Sequence, residues 1–230
     1  MRTEEARSLL ARTAVFGRLD ASALEHLAAR SGTRRYAKGQ LICHQGEPGD
    51  SLFVLAQGLV KIFVSSAEGQ ELVVAILPPP GVFGELALID GGPRSASALA
   101  LQTTSLLSIA RTTFLDLLGD HPSLADALLR SLGGMVRSTL ERASDFVFLD
   151  LQARVAKVLL DLAALGGAEV VAGVVVDLGL TQSDLASMVG GSRSTVNQIL
   201  RAFESRGYVA VHGRRIILNQ PDLLRRRASR

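Results

Sequence analysis

The stretch Gly81-Val82-Phe83-Gly84-Glu85-Leu86-Ala87-Leu88, followed by Pro93-Arg94-Ser95-Ala96-Ser97-Ala98, decides the reading of this chain. It sets a glycine, a carboxylate and a guanidinium close together in apolar surroundings. Gly84 lets the backbone approach a ligand closely, and a short helix starting near Glu85 would aim free N–H groups at an anion. Arg94 offers a planar fork of donors that matches phosphate oxygens, and Ser95 adds a hydroxyl and an amide. Ionised Glu85 only accepts hydrogen bonds, so it repels phosphate but suits sugar hydroxyls. A phosphate and a ribose hydroxyl held one sugar apart describe a nucleotide, and a cyclic one fits so compact a cradle. A surface ion pair beside a turn is the alternative that Glu85 and Arg94 alone leave open.

Outward from this stretch, residues Thr33 to about Ser108 form short β-rich runs: Leu52–Leu55, Leu59–Val64, Leu72–Leu77, Leu99–Leu101 and Leu106–Ile109. Gly39, Gly46, Gly49, Gly58, Gly69, Gly81 and Gly84 punctuate them. Many short strands with regular turns predict a small antiparallel barrel or jelly roll. Before them, residues 4–30 carry helical spacing, with Leu9, Leu10, Val15, Phe16, Leu19, Leu24 and Leu27 as the apolar set. After them, Thr112 or Thr113 is expected to cap a short helix through Leu118.

His121-Pro122 opens a long helix to about Leu149. Along it Ala125, Leu129, Leu132, Val136, Thr139, Ala143 and Phe146 recur at alternating spacings of four and three, a heptad seam with one polar member. A parallel dimer seam and a helix buried in one domain both follow from such a pattern; the basic module beyond it favours the dimer. Leu128 and Met135 widen the stripe and are expected to pack against the chain's own barrel. Gly133-Gly134 loosens the helix, since each glycine costs about 1 kcal/mol relative to alanine.

Beyond Asp150 a second module begins. Ala153, Val155, Ala156, Leu159, Leu160 and Leu162 mark a helix that Gly166-Gly167 stops, and residues 170–176 read as paired strands. Thr181 with Asp184 forms a capping box for a short helix whose inner face is Leu185, Ala186 and Val189. Gly190-Gly191 turns the chain and Ser192 caps a second helix. There Val196, Ile199, Leu200 and Phe203 share one face, leaving Arg193, Ser194, Asn197, Gln198 and Arg201 outside. This is a helix-turn-helix, and Val209–Val211, His212-Gly213 and Arg214–Leu218 complete a wing. Arg193 suits guanine, while Asn197 and Gln198 suit adenine or phosphate. Arg201, Arg214 and Arg215 suit phosphates. The final Arg225-Arg226-Arg227-Ala228-Ser229-Arg230 reads as a disordered basic end.

Charge agrees with that division. From Gln182 onward nine arginines oppose three acids, 9 − 3 = +6, whereas the whole chain carries +3, so the remainder is 3 − 6 = −3. That asymmetry points the C-terminal end, not the N-terminal one, at a polyanion, and charge alone leaves open a solvated basic face with no partner. The single cysteine, Cys43, excludes an internal disulfide and a cysteine-ligated iron–sulfur cluster. Cys43-His44 sits in a run of strand character and reads as structural, not as a haem ligand pair. His26, His44, His121 and His212 are scattered, with no triad or metal pattern, so neither an enzyme nor a metalloprotein is expected. The N-terminus lacks the apolar core of a signal peptide and no apolar run reaches spanning length, so a cytoplasmic protein without membrane contact is expected.

The cassette Phe83-Gly84-Glu85-Leu86 and Pro93-Arg94-Ser95-Ala96, the front run Lys38-Gly39-Gln40-Leu41-Ile42 through Gly46–Leu55 and Gly58, and the helix-turn-helix resemble the Crp–Fnr superfamily of transcription regulators. The resemblance runs from about Phe16 to Asn219 with its parts in the family's order. It implies an α+β protein: an N-terminal jelly-roll cyclic-nucleotide-binding barrel with a dimerisation helix at about 122–149, in a sensor domain of residues 1–149, and a winged helix-turn-helix domain of residues 150–230. It further implies a homodimer on a palindromic operator in double-stranded DNA, controlled by cyclic AMP and acting with RNA polymerase. Cyclic GMP, cyclic di-GMP or effector-independent binding are the alternatives. The ligand-binding residues implied are Phe83, Gly84, Glu85, Leu86, Arg94, Ser95, Thr139 and Leu140. The DNA-binding residues implied are Ser192, Arg193, Ser194, Thr195, Asn197, Gln198, Arg201 and Arg214. Three positions depart from the family pattern: Leu140, where a serine or asparagine usually meets the purine, Ser194, often glutamate, and Gln198, where a second arginine is common.

Overall fold

The computed structural model describes every residue except 167, 171–172, 178 and 230, with backbone alone for 168–170. The helical spacing at the N-terminus resolves into two helices, α1 (Thr3–Ala11) and α2 (Ala21–Ala29). Asp20 starts the second by accepting the Ala23 amide at 2.8 Å. All seven apolar residues expected of this segment are buried.

Eight strands follow: β1 (Gly32–Tyr36), β2 (Leu41–Cys43), β3 (Ser51–Gln57), β4 (Val60–Ser65), β5 (Glu71–Leu77), β6 (Val82–Phe83), β7 (Ser97–Ala100) and β8 (Thr104–Ala110). They form two four-stranded sheets in the orders β1-β8-β3-β6 and β2-β7-β4-β5. Strand β3 explains how the layers cohere. Alternate side chains point to opposite faces of a strand. Phe53 and Leu55 accordingly join Val60, Phe83, Ala98 and Leu106 in one buried cluster. Leu52 and Val54 join the helical residues Leu10, Phe16 and Leu27 in another. A strand buried on both faces reads as a continuous apolar run, which is what Leu52–Leu55 is.

Two helices punctuate this unit, α3 (Leu86–Asp90) and α4 (Arg111–Asp120). Neither Thr112 nor Thr113 caps α4: it starts directly behind β8 at Ala110, and Thr113 is buried. The Arg111 amide donates to the Asp50 carbonyl at 2.8 Å, so backbone does part of the work of a cap.

Helix α5 (Pro122–Phe148) runs for 27 residues. Leu124, Ala127 and Leu128 are buried, and Leu124 and Leu128 join the core that holds Phe16 and Phe114. Met135, expected to join them, is exposed; Leu132, half-buried against the same core, lies about one turn earlier. The seam residues Leu129 and Val136 are 68% and 59% exposed in the single chain. The chain divides into two compact units, Met1–Gln70 with Ala75–Ser138, and Glu71–Val74 with Thr139–Arg230.

The second unit continues with α6 (Leu151–Gly166), β9 (Ala168–Val170), β10 (Gly173–Val176), α7 (Gln182–Val189), α8 (Arg193–Ser205), β11 (Val209–His212), β12 (Arg215–Leu218) and α9 (Pro221–Ala228). Its sheet has the order β11-β12-β10-β9. Helix α6 ends at Gly166; the expected stop at Gly167, and Val171 and Ala172 of the expected strand pair, lie outside the described residues. The C-terminal arginines are not a disordered end. Pro221 opens α9, Asp222 lies in its first turn, Arg225, Arg226 and Arg227 in its last, and Leu224 is buried. Acid at the start and base at the end match the helix dipole, and the apolar Leu224 anchors it. Arg230 lies outside the described residues.

Candidate functional site

Strand β6 delivers the chain to Gly84, whose φ of +83° only glycine adopts without strain. A Cβ there would lie 2.5 Å from Arg94 Nη1, so the same glycine also makes room for the guanidinium. Glu85 follows at the start of α3, and Gly91 ends that helix in the left-handed region. Arg94 returns beside the cassette because its backbone is pinned: its amide donates to the Glu47 carbonyl and its carbonyl accepts from the Gly46 amide, both at 2.8 Å. Pro48 and Pro93 form a bridge alongside.

Glu85 and Arg94 are 7% and 5% exposed, and among the described residues no ion pair joins them. The surface ion pair is therefore not what this sequence makes. Arg94 Nη1 donates to the Gly84 carbonyl at 3.0 Å and Nη2 to the Ser51 carbonyl at 2.6 Å. Its guanidinium lies 5.4 Å from the Phe53 ring, which in turn packs on Phe83 at 5.2 Å. A guanidinium carries five N–H donors, so this fork is held in place with donors to spare. One carboxylate oxygen of Glu85 is buried with no hydrogen-bond partner among the described residues. Burial pushes the Glu85 carboxyl up, and its own backbone N–H and the Arg94 charge pull it partly back. An orphaned buried acceptor is costly, and a hydroxyl donor would satisfy it.

Gly84, Glu85 and Arg94 thus come together, with Phe83 buried behind them and Leu86, half-buried, opening α3. Ser95 is exposed. Thr139 and Leu140 lie in the second unit on α5, both exposed in the single chain. The sequence did not flag Ser51 or Phe53 as partners of Arg94, because an acceptor carbonyl and a stacking ring have no spacing signature.

In the second unit Thr181 and Asp184 cap α7 reciprocally, and Gly190 ends it at φ +63°. Ser192 caps α8 by accepting the Thr195 amide at 3.1 Å, and its hydroxyl lies 2.8 Å from those of Ser194 and Thr195. Val196, Ile199, Leu200 and Phe203 are buried. Arg193, Ser194, Gln198 and Arg201 are exposed and Asn197 half-buried, so α8 turns a row of hydrogen-bonding groups outward. Arg214 is exposed at the wing's turn, while Arg215, expected to meet phosphate, is engaged by Asp177 at 3.1 Å.

One residue that the sequence reading passed over organises the joint between helices. Arg154 donates to the Leu149 carbonyl at 2.9 Å and the Phe146 carbonyl at 3.3 Å, ending α5, and to the Val189 carbonyl at 3.0 Å, ending α7. Its guanidinium lies 5.0 Å from the Phe146 ring. No group of three or more metal-ligating side chains is found among the described residues, and no helix there is long and apolar enough to cross a membrane.

Comparison with known proteins agrees with both halves. Residues 33–121 match the cyclic nucleotide-binding domain family, and residues 153–227 the Crp-like helix-turn-helix domain family. The chain is 34% identical over 220 residues to the CRP-like cAMP-activated global transcriptional regulator of Mycobacterium tuberculosis, covering 96% of this chain and 98% of that one. It is 34% identical over 176 residues to the cyclic AMP receptor protein of Thermus thermophilus, covering 76% and 78%. Among solved structures, the c-di-GMP responsive global regulator CLP of Xanthomonas campestris superposes with a TM-score of 0.77 at 24% identity, over 86% of this chain and 99% of that one, a likeness of fold. A cyclic-nucleotide cassette, a long helix and a winged helix-turn-helix in that order make this chain a member of the Crp–Fnr superfamily of transcription regulators.

Proposed function

We propose that the chain is a homodimeric regulator whose residues 1–149 bind cyclic AMP and whose residues 150–230 read a palindromic operator. The unpartnered Glu85 oxygen beside a guanidinium with spare donors carries this reading. Glu85 accepts a ribose hydroxyl, while Arg94, Ser95 and the backbone at Gly84 and Leu86 hold the cyclic phosphate over Phe83. Thr139 and Leu140 of the paired α5 helices meet the base. The 34% identical relative from Mycobacterium tuberculosis is named as cAMP-activated, which supports that effector. On DNA, Arg193, Ser194, Asn197 and Gln198 face base edges, and Ser192, Thr195, Arg201 and Arg214 face the backbone. Two such helices reach successive major grooves about 34 Å apart on one side of the duplex. The protein acts in the cytoplasm with RNA polymerase and has no catalytic role.

Cyclic AMP controls DNA binding only by as much as it binds the DNA-competent arrangement of the dimer more tightly than the ligand-free one. Leu140 offers no hydrogen bond to a purine, which favours a second reading with cyclic GMP, cyclic di-GMP or no effector. Titration calorimetry with the three nucleotides, paired with mobility shifts on selected DNA, distinguishes them. Heat with cyclic AMP alone and a shift that it strengthens is the expected result; an equal shift with and without every nucleotide would overturn effector control.

A further inference from the structure

The turn between α5 and α6 consists of Leu149 and Asp150, and it is held from the far end of the chain. Asp150 Oδ1 accepts the Ala153 amide at 2.8 Å, which caps α6. Its Oδ2 accepts from Arg227 Nη2 at 2.5 Å, and the same nitrogen lies 3.3 Å from Gln152 Oε1. Arg227 is the last arginine of α9; its side chain is 19% exposed, and Leu224, one turn earlier, is fully buried. Arg154 fastens the same turn from within, through the Leu149 and Phe146 carbonyls. Lys157 meets Asp145 at 2.5 Å across it. An ion pair whose carboxylate is largely exposed contributes little to stability by itself. What this one adds is geometric: it fixes the direction of a capping carboxylate at the point where the dimer helix becomes the DNA-binding module.

We propose that α9 is a clasp, with Arg227 as a positioning residue that holds the α5–α6 turn and through it the presentation of the recognition helix to its half-site. The sequence contributes each part: Pro221 starts the helix, Leu224 anchors it, and one guanidinium nitrogen, Arg227 Nη2, reaches the oxygens of both Asp150 and Gln152. A clasped turn makes the two recognition helices intolerant of altered half-site spacing; an unclasped one lets them adjust.

The full-length protein is compared with Arg227→Ala, Arg227→Lys and Asp150→Asn, the last keeping a capping side chain without its charge. By hydrogen exchange, amides of residues 151–154 in Arg227→Ala exchange about fivefold faster, the worth of one net hydrogen bond. Unchanged exchange in a folded variant overturns the clasp. The second measurement rests on the proposed reading of a DNA-binding dimer. An operator is selected from random DNA with the wild-type protein, and affinity is compared for it and for a copy with one base pair inserted between half-sites. The insertion penalty shrinks at least about threefold in Arg227→Ala, with Arg227→Lys between, as expected for loss of a weak positioning contact. An equal penalty in all variants overturns the positioning role even if the variants melt earlier. Should the wild type select no palindrome, the DNA-binding reading fails, and amide exchange still decides whether the clasp exists.

Discussion

Glu85 and Arg94 share a buried corner without bonding each other. The arginine turns to the carbonyls of Gly84 and Ser51, and a carboxylate oxygen of the glutamate is left with nothing. Nucleotide binding would complete the acid, and the free protein carries its cost.

Glu85→Gln should therefore stabilise the ligand-free protein at neutral pH by about 1 kcal/mol, the scale of one hydrogen-bonding mismatch. The sign follows from the raised carboxyl. The folded state holds the proton more tightly than the unfolded one, so this group's contribution is most favourable below the ordinary carboxylate range. It is lost as pH rises through the raised value. Thermal melts from pH 4 to 8 should show a shallower fall in the variant, together with weaker nucleotide binding.

Arg94→Ala removes two carbonyl partners as well as a phosphate ligand. Calorimetry should detect no cyclic AMP binding, and the melt should show a loss of about 2 kcal/mol while the dimer persists. Arg94→Lys should recover little of either, because one ammonium cannot bridge Gly84 and Ser51 and still face phosphate. Wild-type affinity in either variant would remove Arg94 from the site.

Charge on the exposed seam should separate the protomers. Leu129→Glu with Val136→Glu should sediment as a monomer with unchanged helical content, since neither side chain belongs to the buried core. Affinity for a palindrome should fall to that for a half-site.

Arg193→Ala should cost about 1–3 kcal/mol on the preferred operator and relax selection at one base position. Arg201→Ala should weaken binding evenly across sequences and lower the salt slope by about 1. Titrations at several salt concentrations, with matched and mismatched operators, tell the two roles apart.

Gly190→Ala should destabilise the helix-turn-helix by about 1–2 kcal/mol from its left-handed backbone alone. Its Cβ would also sit 2.4 Å from Phe146 Cε1. Adding Phe146→Ala should relieve the collision and leave the backbone strain, a coupling that a double-mutant cycle measures.

The helix-turn-helix was legible almost residue by residue. Thr181 with Asp184, Gly190 and Ser192 are local signals, and their caps form where the spacing placed them. The barrel was legible in its apolar core runs but not in β1, β2 and β6. Gly32–Tyr36 is largely exposed and polar, so no alternation announced it. The break between the N-terminal helices was not legible because buried Val15, Phe16 and Leu19 carry the apolar spacing across it, although Asp20 caps the second helix. Arg94 was found by its motif, whereas its anchor at Ser51 depends on a pairing that only the fold creates. Arg227 was misread for the same reason: its partner Asp150 lies 77 residues away.

The bare stripe on α5 also bears on abundance. Leu129, Val136 and Leu140 are exposed in the single chain, so in the proposed dimer paired along α5 the occupancy of that face depends on how many copies are present. Dilution should lower the melting temperature of this helix before it touches the barrel core.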